Sequence, residues 1–500
     1  MRLRFASIAI GLFLIFGPCL GYSRHVDAAS PDSPSEAVTT RHTIRIGATP
    51  LSYTARAGFI PIRDEATGAM HAKIFFVSYT AKRRPGQAAR PLTFYTNGGP
   101  VTPATLSDLG PRSLRGEKWE GLLPPSPYEL IDNQQTWLAT TDLVLIDPVG
   151  TGYSRATKPD YAAEFYNVEG DADSIAQFVQ LYLKRYDPTM RQPVFVAGWS
   201  YGSFRSVLIA DMANRRGIAL RGLILLSSVL GNAPRHTGFP LPDPSYPQLI
   251  PSFTATAFAH GKLPPDLQGN FDAAIDQAEA WAVNEYPKLL DHADDLTGDQ
   301  LRAAATEMAR LTGLSPETVL YHRFRFAPDA FLRSLFGAQW TPAALFDSRL
   351  KASDPVAFGE PPEWYKVLSD LYLGAELHFR SELPYEAGFD AMAKWRCNGG
   401  PSTDCFSDPQ VLLRLQRAMR ENPSLRVMIT NGYYDFAAPY FGSKLSIAQL
   451  EPDLRARVNA TYYQSGHYPP PVPRQDVASF IQRVSAMSRR TISYQVQSVR

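Results

Sequence analysis

Hydrophobic and polar residues alternate with a period of two over the first regularly patterned stretch of the chain, residues 43–82. Ile44 and Ile46 alternate with polar neighbours, and the run Ala72-Lys-Ile-Phe-Phe-Val-Ser-Tyr follows. Alternation of this kind is typical of strands with one buried face. The pattern therefore predicts antiparallel β-structure at the start of the folded chain.

Continuous apolar runs replace this alternation after residue 90. Each is followed by a glycine or a turn, and they are Leu92-Thr-Phe-Tyr, Leu143-Val-Leu-Ile, Val194-Phe-Val-Ala and Leu223-Ile-Leu-Leu. Segments with helical spacing, such as Asp173–Tyr186, lie between them. Fully apolar strands that alternate with helices predict a mostly parallel sheet covered on both faces, which is an α/β fold.

Strand patterns stop between residues 234 and 411. Residues 262–349 are rich in alanine, leucine and aspartate, with helical spacing over Phe271–Val283 and Asp299–Leu311. Strand patterns return at Leu425-Arg-Val-Met-Ile-Thr and Ala460-Thr-Tyr-Tyr, and a last helix is predicted over Arg474–Arg489. We therefore predict a core in two parts, residues 42–235 and 411–500, interrupted by a helical lid over residues 236–410.

The N-terminus has the pattern of an export signal. Two arginines precede an apolar run over residues 5–20, and a small-residue cleavage site ends at Ala28. We predict a signal peptide over residues 1–28 and a flexible, Ser/Pro/Ala-rich leader over residues 29–41. The apolar run is too short for a stable membrane anchor, so we expect an exported protein that is periplasmic or secreted.

Composition and cysteine placement argue against a small disulfide-dependent scaffold and against a nucleic-acid-binding protein. With 500 residues, 44% of them hydrophobic, the chain can bury a large core without disulfides. A net charge of +2 gives no basic excess for binding nucleic acid. Cys19 would leave with the signal peptide, and the remaining pair, Cys397 and Cys405, predicts one disulfide in an exported chain. A zinc site would need further ligands, and no histidine lies between His378 and His467, so we predict neither a metal nor a cofactor.

A candidate nucleophile follows the third of the apolar runs. The chain passes from Val194-Phe-Val-Ala into Gly198-Trp-Ser-Tyr-Gly202, and a helical pattern follows over residues 203–212. Strand, tight turn and helix form the context of a nucleophile elbow, whose strained turn lifts a serine hydroxyl above the sheet. Ser200 is therefore the predicted nucleophile.

A neutral serine hydroxyl needs a base, and the base needs an acid that orients it. In folds with a nucleophile elbow, the acid and the histidine follow the serine in that order, on loops after strands. His467 lies in a loop just after a late strand, whereas the other downstream histidines fall in or near the helical insertion. Asp435 follows the strand before it. Order and position together predict a triad of Ser200, Asp435 and His467.

Six stretches of the chain share their sequence and order with one known family. They are Asn97-Gly-Gly-Pro100, Leu109-Gly-Pro111, Asp147-Pro-Val-Gly-Thr-Gly-Tyr-Ser154, Gly198-Trp-Ser-Tyr-Gly202, Asn431-Gly-Tyr-Tyr-Asp435 and Gly466-His467. Together they resemble the serine carboxypeptidase family, in particular its bacterial exported branch. The resemblance implies an α/β-hydrolase fold with Ser200 as nucleophile, His467 as general acid and base, and Asp435 as its orienter. It also implies an oxyanion hole formed by the backbone N–H groups of Gly99 and Tyr201.

The family binds the terminal carboxylate of its substrate with an asparagine and two acidic residues, at least one of them protonated. The resemblance places Asn97, Gly98, Asp108 and Trp199 at this substrate-binding position. Trp199 is a departure, because the family has an acidic residue directly before the nucleophile. A pair of carboxyl groups that shares a proton is therefore broken, and an indole N–H does not titrate. The loop after Pro100 also departs from the family, since Val101 stands where glycine is usual.

We therefore predict a serine carboxypeptidase-like hydrolase that releases C-terminal residues from peptides through an acyl-enzyme on Ser200. An esterase or acyltransferase with the same triad is an alternative, because Trp199 replaces the usual carboxylate-binding glutamate. A non-catalytic relative that binds peptide or wall material is a third reading, which the three filled triad positions disfavour. The expected partner is a peptide or a small ester, and not nucleic acid.

Overall fold

The computed structural model describes residues 37–107, 109–115, 127–189, 191–230, 243–354, 362–397, 400–401, 410–467 and 474–497. The predicted signal peptide lies outside these residues, as do Asp108 and Cys405. The disulfide between Cys397 and Cys405 therefore stays a prediction. Within the described residues, no helix combines the length and the apolar character needed to cross a membrane.

A ten-stranded mixed sheet forms the centre of the described chain. The strands, in chain order, are β1 (Val38–Ile46), β2 (Thr49–Arg63), β3 (Met70–Ala81), β4 (Leu92–Thr96), β5 (Arg112–Leu114), β6 (Leu130–Asp132), β7 (Asp142–Ile146), β8 (Arg155–Ala156), β9 (Val194–Trp199), β10 (Leu220–Leu226), β11 (Arg396–Cys397), β12 (Gly400–Pro401), β13 (Arg426–Gly432) and β14 (Val458–Tyr463). The order across the sheet is β1-β2-β3-β7-β4-β9-β10-β13-β14, with β8 paired to β3. The short pairs β5-β6 and β11-β12 lie outside it.

The N-terminal strands are antiparallel, as the alternating pattern predicts. β1 pairs with β2, β2 with β3, and β3 with β7 in antiparallel register. The first strand begins at Val38, inside the predicted leader of residues 29–41. Residues 38–41 therefore belong to the sheet and not to a flexible leader. Val38, Thr39 and Thr40 pair with residues 55–57 of β2, and their β-branched side chains favour the extended backbone that this pairing uses.

The second half of the sheet is parallel, from β7 through β4, β9, β10 and β13 to β14. All residues of β4 and β7 are buried, which explains their unbroken apolar runs. Because these strands are parallel, their carboxyl ends meet at one edge of the sheet. The loops after β4, β9, β13 and β14 carry the predicted site residues to that edge.

Helices cover both faces of the sheet. In chain order they are α1 (Ala162–Phe165), α2 (Val168–Tyr186), α3 (Tyr201–Ala213), α4 (Ile250–Ala259), α5 (Pro265–Gln268), α6 (Phe271–Asn284), α7 (Tyr286–His292), α8 (Gly298–Thr312), α9 (Pro316–Tyr321), α10 (Pro328–Phe336), α11 (Pro362–Leu368), α12 (Phe389–Ala393), α13 (Gln410–Glu421), α14 (Tyr440–Ala448), α15 (Pro452–Arg455) and α16 (Arg474–Gln497). Val196 faces the core that α2, α3 and α13 form with one side of the sheet, and its neighbour Phe195 faces the opposite core with α11 and α16.

The predicted lid, residues 236–410, divides into two parts within the described residues. Residues 243–354 form a separate apolar core around α4, α6 and α8, which Phe436 and Tyr440 of the second core segment join. Apolar residues from Trp364 to Ala387 pack instead against the antiparallel strands, where the ring of Phe379 lies 4.8 Å from that of Phe75. Ala391 and Trp395 join the core of α2 and α3. The described residues of this region are mostly helical, and among them the first part has a core of its own.

Candidate active site

Ser200 lies at the sharp turn between β9 and α3. Its backbone angles are φ 56° and ψ −125°, a strained conformation for a residue other than glycine. The Ser200 N–H donates to the carbonyl of Leu226 at 2.9 Å, which fixes the turn to the neighbouring strand β10. Because α3 starts at the next residue, Ser200 lies at the positive end of a helix dipole. This is the local geometry of a nucleophile elbow.

Asp435 and His467 form a buried pair on the loops after β13 and β14. Nδ1 of His467 lies 2.7 Å from Oδ2 of Asp435, and the two side chains are 4% and 0% exposed. The other carboxylate oxygen of Asp435 accepts the N–H groups of Ala437 at 2.7 Å and Ala438 at 3.0 Å. Since a carboxylate only accepts, Nδ1 carries the proton and Nε2 of the neutral ring is left as the basic nitrogen.

The backbone of His467 is held from two sides. Its carbonyl accepts the indole N–H of Trp199 at 3.0 Å and the hydroxyl of Ser227 at 2.6 Å. Its N–H donates to the carbonyl of Phe346, from the first part of the insertion, at 2.5 Å. The imidazole is therefore fixed both by its carboxylate partner and by the main chain that carries it.

The indole N–H of Trp199, a residue predicted to bind substrate, is engaged by the backbone of His467. Indole has a single N–H, and here it points to the carbonyl of His467. In this conformation that donor is not available to a substrate carboxylate. The ring of Trp199 still lies beside the site, with its centroid 5.3 Å from that of the His467 imidazole.

Trp199→Phe should keep the aromatic ring beside His467 but remove the hydrogen bond. We expect the free energy of unfolding to fall by about 1 kcal/mol and kcat to fall several-fold, because the histidine loop is less firmly held. Ser227→Ala removes the other side-chain donor to the carbonyl of His467 and is therefore the second arm of a double-mutant cycle. Kinetics and denaturant unfolding of both single variants and the double variant should show non-additive losses. Unchanged kcat in Trp199→Phe would contradict this role.

The loop after β4, residues 97–100, is called the oxyanion loop below. A Cβ atom added at Gly98 would lie 2.7 Å from the carbonyl oxygen of Trp199 and 2.8 Å from Cβ of Ser200, so only glycine allows this approach. Gly99 has a φ of 103°, a conformation that favours glycine. The structure thus brings the loop against the elbow, next to Tyr201, as the predicted oxyanion hole requires.

Asn97 is buried, and its side chain braces the chain that follows the oxyanion loop. Its amide oxygen accepts the hydroxyl of Tyr95 at 2.6 Å, and its amide nitrogen donates to the carbonyl of Pro103 at 2.7 Å. The second amide N–H takes part in neither bond. Asp108, which is also predicted to bind the substrate carboxylate, lies outside the described residues.

Asp147 joins the loop after β7 to the loop after β4, a role that the sequence did not predict. Its carboxylate accepts the N–H groups of Ala104 at 2.7 Å and Thr105 at 2.9 Å. It also accepts the hydroxyls of Thr105 at 2.9 Å and Tyr385 at 3.1 Å. Burial raises the pKa of Asp147 to about 6, although these hydrogen bonds lower it in part. Asp147 begins one of the motifs shared with the family, and no catalytic role is predicted for its carboxylate. That combination is the feature of the sequence that indicates a structural role.

The raised pKa of Asp147 predicts a specific pH dependence of stability. Because the folded carboxyl holds its proton up to about pH 6, its contribution is complete below about pH 4 and is lost as the pH rises through 6. A shift from 3.8 to about 6 corresponds to about 3 kcal/mol. Asp147→Asn does not titrate, so the difference in unfolding free energy, wild type minus variant, should fall between pH 4 and 7. A pH-independent difference would contradict this assignment.

Comparisons with known proteins find relatives of the first half of the chain. A serine carboxypeptidase family model matches residues 47–232. Serine carboxypeptidase-like 17 of Arabidopsis thaliana is 25% identical over 218 residues, which cover 43% of this chain and 45% of that protein. Serine carboxypeptidase-like 5 of the same plant is 27% identical over 155 residues, 30% of this chain and 33% of that protein. The chain therefore matches less than half the length of these curated relatives.

A solved structure extends the likeness beyond the matched segment. Kex1ΔP, a prohormone-processing carboxypeptidase from Saccharomyces cerevisiae, has a TM-score of 0.53 and 16% identity, and the match covers 87% of this chain and 91% of that one. At this identity the likeness shows the fold, and it confirms the predicted α/β-hydrolase architecture. Residues 47–232 are therefore similar in sequence to the serine carboxypeptidase family, and the described chain shares its fold with Kex1ΔP.

Proposed function

We propose that this protein is a serine carboxypeptidase-like hydrolase that releases C-terminal residues from peptides through an acyl-enzyme on Ser200. The observation that carries the proposal is the buried contact of 2.7 Å between Asp435 and His467, at the same sheet edge as the strained elbow of Ser200. A base oriented by a carboxylate and a serine on an elbow are the parts that acyl transfer requires.

In the acylation step, Oγ of Ser200 attacks the last peptide carbonyl and its proton passes to Nε2 of His467. Asp435 stabilises the imidazolium that forms, without taking the proton itself. The N–H groups of Gly99 and Tyr201 hold the developing oxyanion, a contribution of about 3–4 kcal/mol for one donor in a well-studied protease. His467 then protonates the leaving amine, and the C–N bond breaks to leave the acyl-enzyme.

In the deacylation step, a water molecule takes the place of the released amino acid. His467 accepts a proton from this water, whose oxygen attacks the acyl carbon. The same oxyanion hole stabilises the second tetrahedral intermediate, and the bond to Ser200 Oγ breaks as His467 returns the proton. The shortened peptide leaves with a new carboxylate.

A fluorophosphonate probe and a matched substrate panel test the proposal. Wild-type protein should be labelled at Ser200 and should cleave N-blocked dipeptides with a free C-terminus faster than the corresponding amides. If neither labelling nor turnover occurs, the protein is not a serine hydrolase. If amides or aryl esters are cleaved and free acids are not, the carboxypeptidase assignment is wrong and the alternative with the same triad replaces it.

We also propose that the protein belongs to the bacterial exported branch of the family and acts in the periplasm or outside the cell. The pattern of residues 1–28 and the even number of cysteines after it support this proposal. N-terminal sequencing of the mature protein should give a start at residue 29. Its intact mass should be two hydrogens lower than the reduced chain if Cys397 and Cys405 are joined.

A further inference from the structure

Arg205, in the second turn of α3, has one of the largest fully buried side chains in the described chain, with 0% of its surface exposed. An isolated guanidinium is costly to bury, so its hydrogen-bond partners reveal why it is there. An apolar side chain would fill the same volume without that desolvation cost, but it would hold no backbone carbonyl.

The guanidinium of Arg205 connects helix α2 with the oxyanion loop. Its Nε donates to Oδ2 of Asp171 on α2 at 2.6 Å. Its Nη1 donates to the carbonyl of Asn97 at 2.8 Å, and its Nη2 to the carbonyl of Pro100 at 2.5 Å. Asp171 is 2% exposed, so the whole ion pair is buried.

The two carbonyls that Arg205 binds lie on either side of Gly98 and Gly99. Two consecutive glycines have more backbone freedom than any other dipeptide, and an N–H group that must meet an oxyanion needs a fixed direction. The planar guanidinium presents its donors at fixed angles, so bonds to both flanking carbonyls restrict the loop between them.

The same side chain also touches the other half of the proposed oxyanion hole. The guanidinium carbon of Arg205 lies 5.1 Å from the centre of the Tyr201 ring, and Tyr201 supplies the second backbone donor. One buried cation thus contacts both segments whose N–H groups must converge on a single oxygen atom.

We infer that Arg205, oriented by Asp171, is a positioning residue that sets the direction of the Gly99 N–H in the oxyanion hole. The inference rests on the proposed function. It assigns Arg205 no contact with substrate. Its effect on catalysis passes through the shape of the oxyanion loop.

Arg205→Lys is the main test, with Arg90→Lys as a matched control. Lysine keeps the positive charge beside Asp171 but lacks the planar fork that reaches both carbonyls. Arg90 makes a similar set of bonds, with Nε 2.8 Å from Oδ1 of the buried Asp142 and Nη2 2.6 Å from the carbonyl of Leu138. It precedes β4 and therefore lies at the edge of the sheet opposite the site.

Two matched inhibitors distinguish a role of Arg205 in positioning the oxyanion loop from a general role in stabilising the fold. With a peptide aldehyde, Oγ of Ser200 adds to the carbonyl carbon, its proton passes to His467, and the carbonyl electron pair becomes an oxyanion without a leaving group. The corresponding peptide alcohol occupies the same cleft but forms no adduct. Only the aldehyde therefore reports on the oxyanion hole.

For Arg205→Lys we expect kcat to fall about 100-fold, the size of the loss of one oxyanion donor, with KM changed less than about threefold. The Ki of the aldehyde should rise by a similar factor, and that of the alcohol should stay unchanged. Arg90→Lys should keep wild-type kcat and both inhibition constants, even if its melting temperature falls. Asp171→Asn should lower kcat about tenfold, because Arg205 keeps its carbonyl partners but loses its orienting carboxylate.

Each outcome decides a separate question. A folded Arg205→Lys variant with wild-type kcat and aldehyde affinity would overturn the inference, as would equal losses for aldehyde and alcohol. If Arg205→Lys does not fold, wild-type kcat in Asp171→Asn would overturn it. If wild-type protein neither cleaves peptides nor reacts with a fluorophosphonate, the proposed function fails, and the role of Arg205 fails with it.

Discussion

Replacement of Ser200 by alanine should lower kcat/KM for peptide cleavage by about 10⁶-fold and abolish labelling by a fluorophosphonate. The substitution removes the attacking oxygen, and with it the covalent intermediate, while the carboxylate–histidine pair stays in place. Alanine keeps the Cβ atom that already occupies the turn at φ 56°, so the fold should be retained. Steady-state kinetics, probe labelling and circular dichroism of the purified variant provide the measurement.

Ser206→Ala is the control for this prediction. Ser206 lies in the same helix, is buried, and donates its hydroxyl to the carbonyl of Gly202 at 2.7 Å. Its loss removes one buried hydroxyl close to the elbow without removing a nucleophile, so activity should stay within about threefold of wild type. If Ser200→Ala kept more than about a thousandth of wild-type kcat/KM, another residue would perform the attack.

Asp435→Asn should lower kcat by about 10⁴-fold with little change in fold. One oxygen of Asp435 accepts two backbone N–H groups, so the asparagine must keep its amide oxygen on that side. Its NH₂ group then faces Nδ1 of His467, 2.7 Å away in the wild-type pair. Nδ1 must accept this bond, the ring proton moves to Nε2, and the histidine is no longer able to take the proton of Ser200.

Asp211→Asn tests whether loss of any buried carboxylate has the same effect. Asp211 is 1% exposed and pairs with Arg417 away from the triad, so its variant should be less stable but active. Measurement of kcat and of the melting temperature for both variants separates the two effects. If Asp435→Asn retained more than a tenth of wild-type activity, Asp435 would not be the orienting acid.

The fold and the pairing of Asp435 with His467 could be predicted from the sequence because each depends on local pattern and chain order. Apolar runs of strand length place β4, β9 and β13, and a histidine after a late strand stands out among several in helical segments. The elbow combines a strand, a serine between glycines and a helix within a few residues. These features can be recognised in the sequence without knowledge of tertiary contacts.

The hydrogen-bond partners of the site residues could not be predicted from local pattern and chain order. Arg205 and Asp171 lie on different helices, and no periodicity shows that they form a pair. Trp199 could be recognised as a departure from the family, but only the packed structure shows its indole bonded to His467. Likewise, the β-branched residues at the start of β1 favour an extended backbone, but only the structure shows their pairing with β2.

The end of the first part of the insertion is tied to both loops that carry Asp435 and His467. Leu345 accepts the N–H of Phe436, Phe346 that of His467, and Ser348 donates to the carbonyl of Tyr434 at 3.0 Å. These three residues form a seam, residues 345–348, between the loop of Asp435 and the loop of His467. Any segment that replaced the first part of the insertion would therefore need to retain this seam, because it holds the loops of Asp435 and His467.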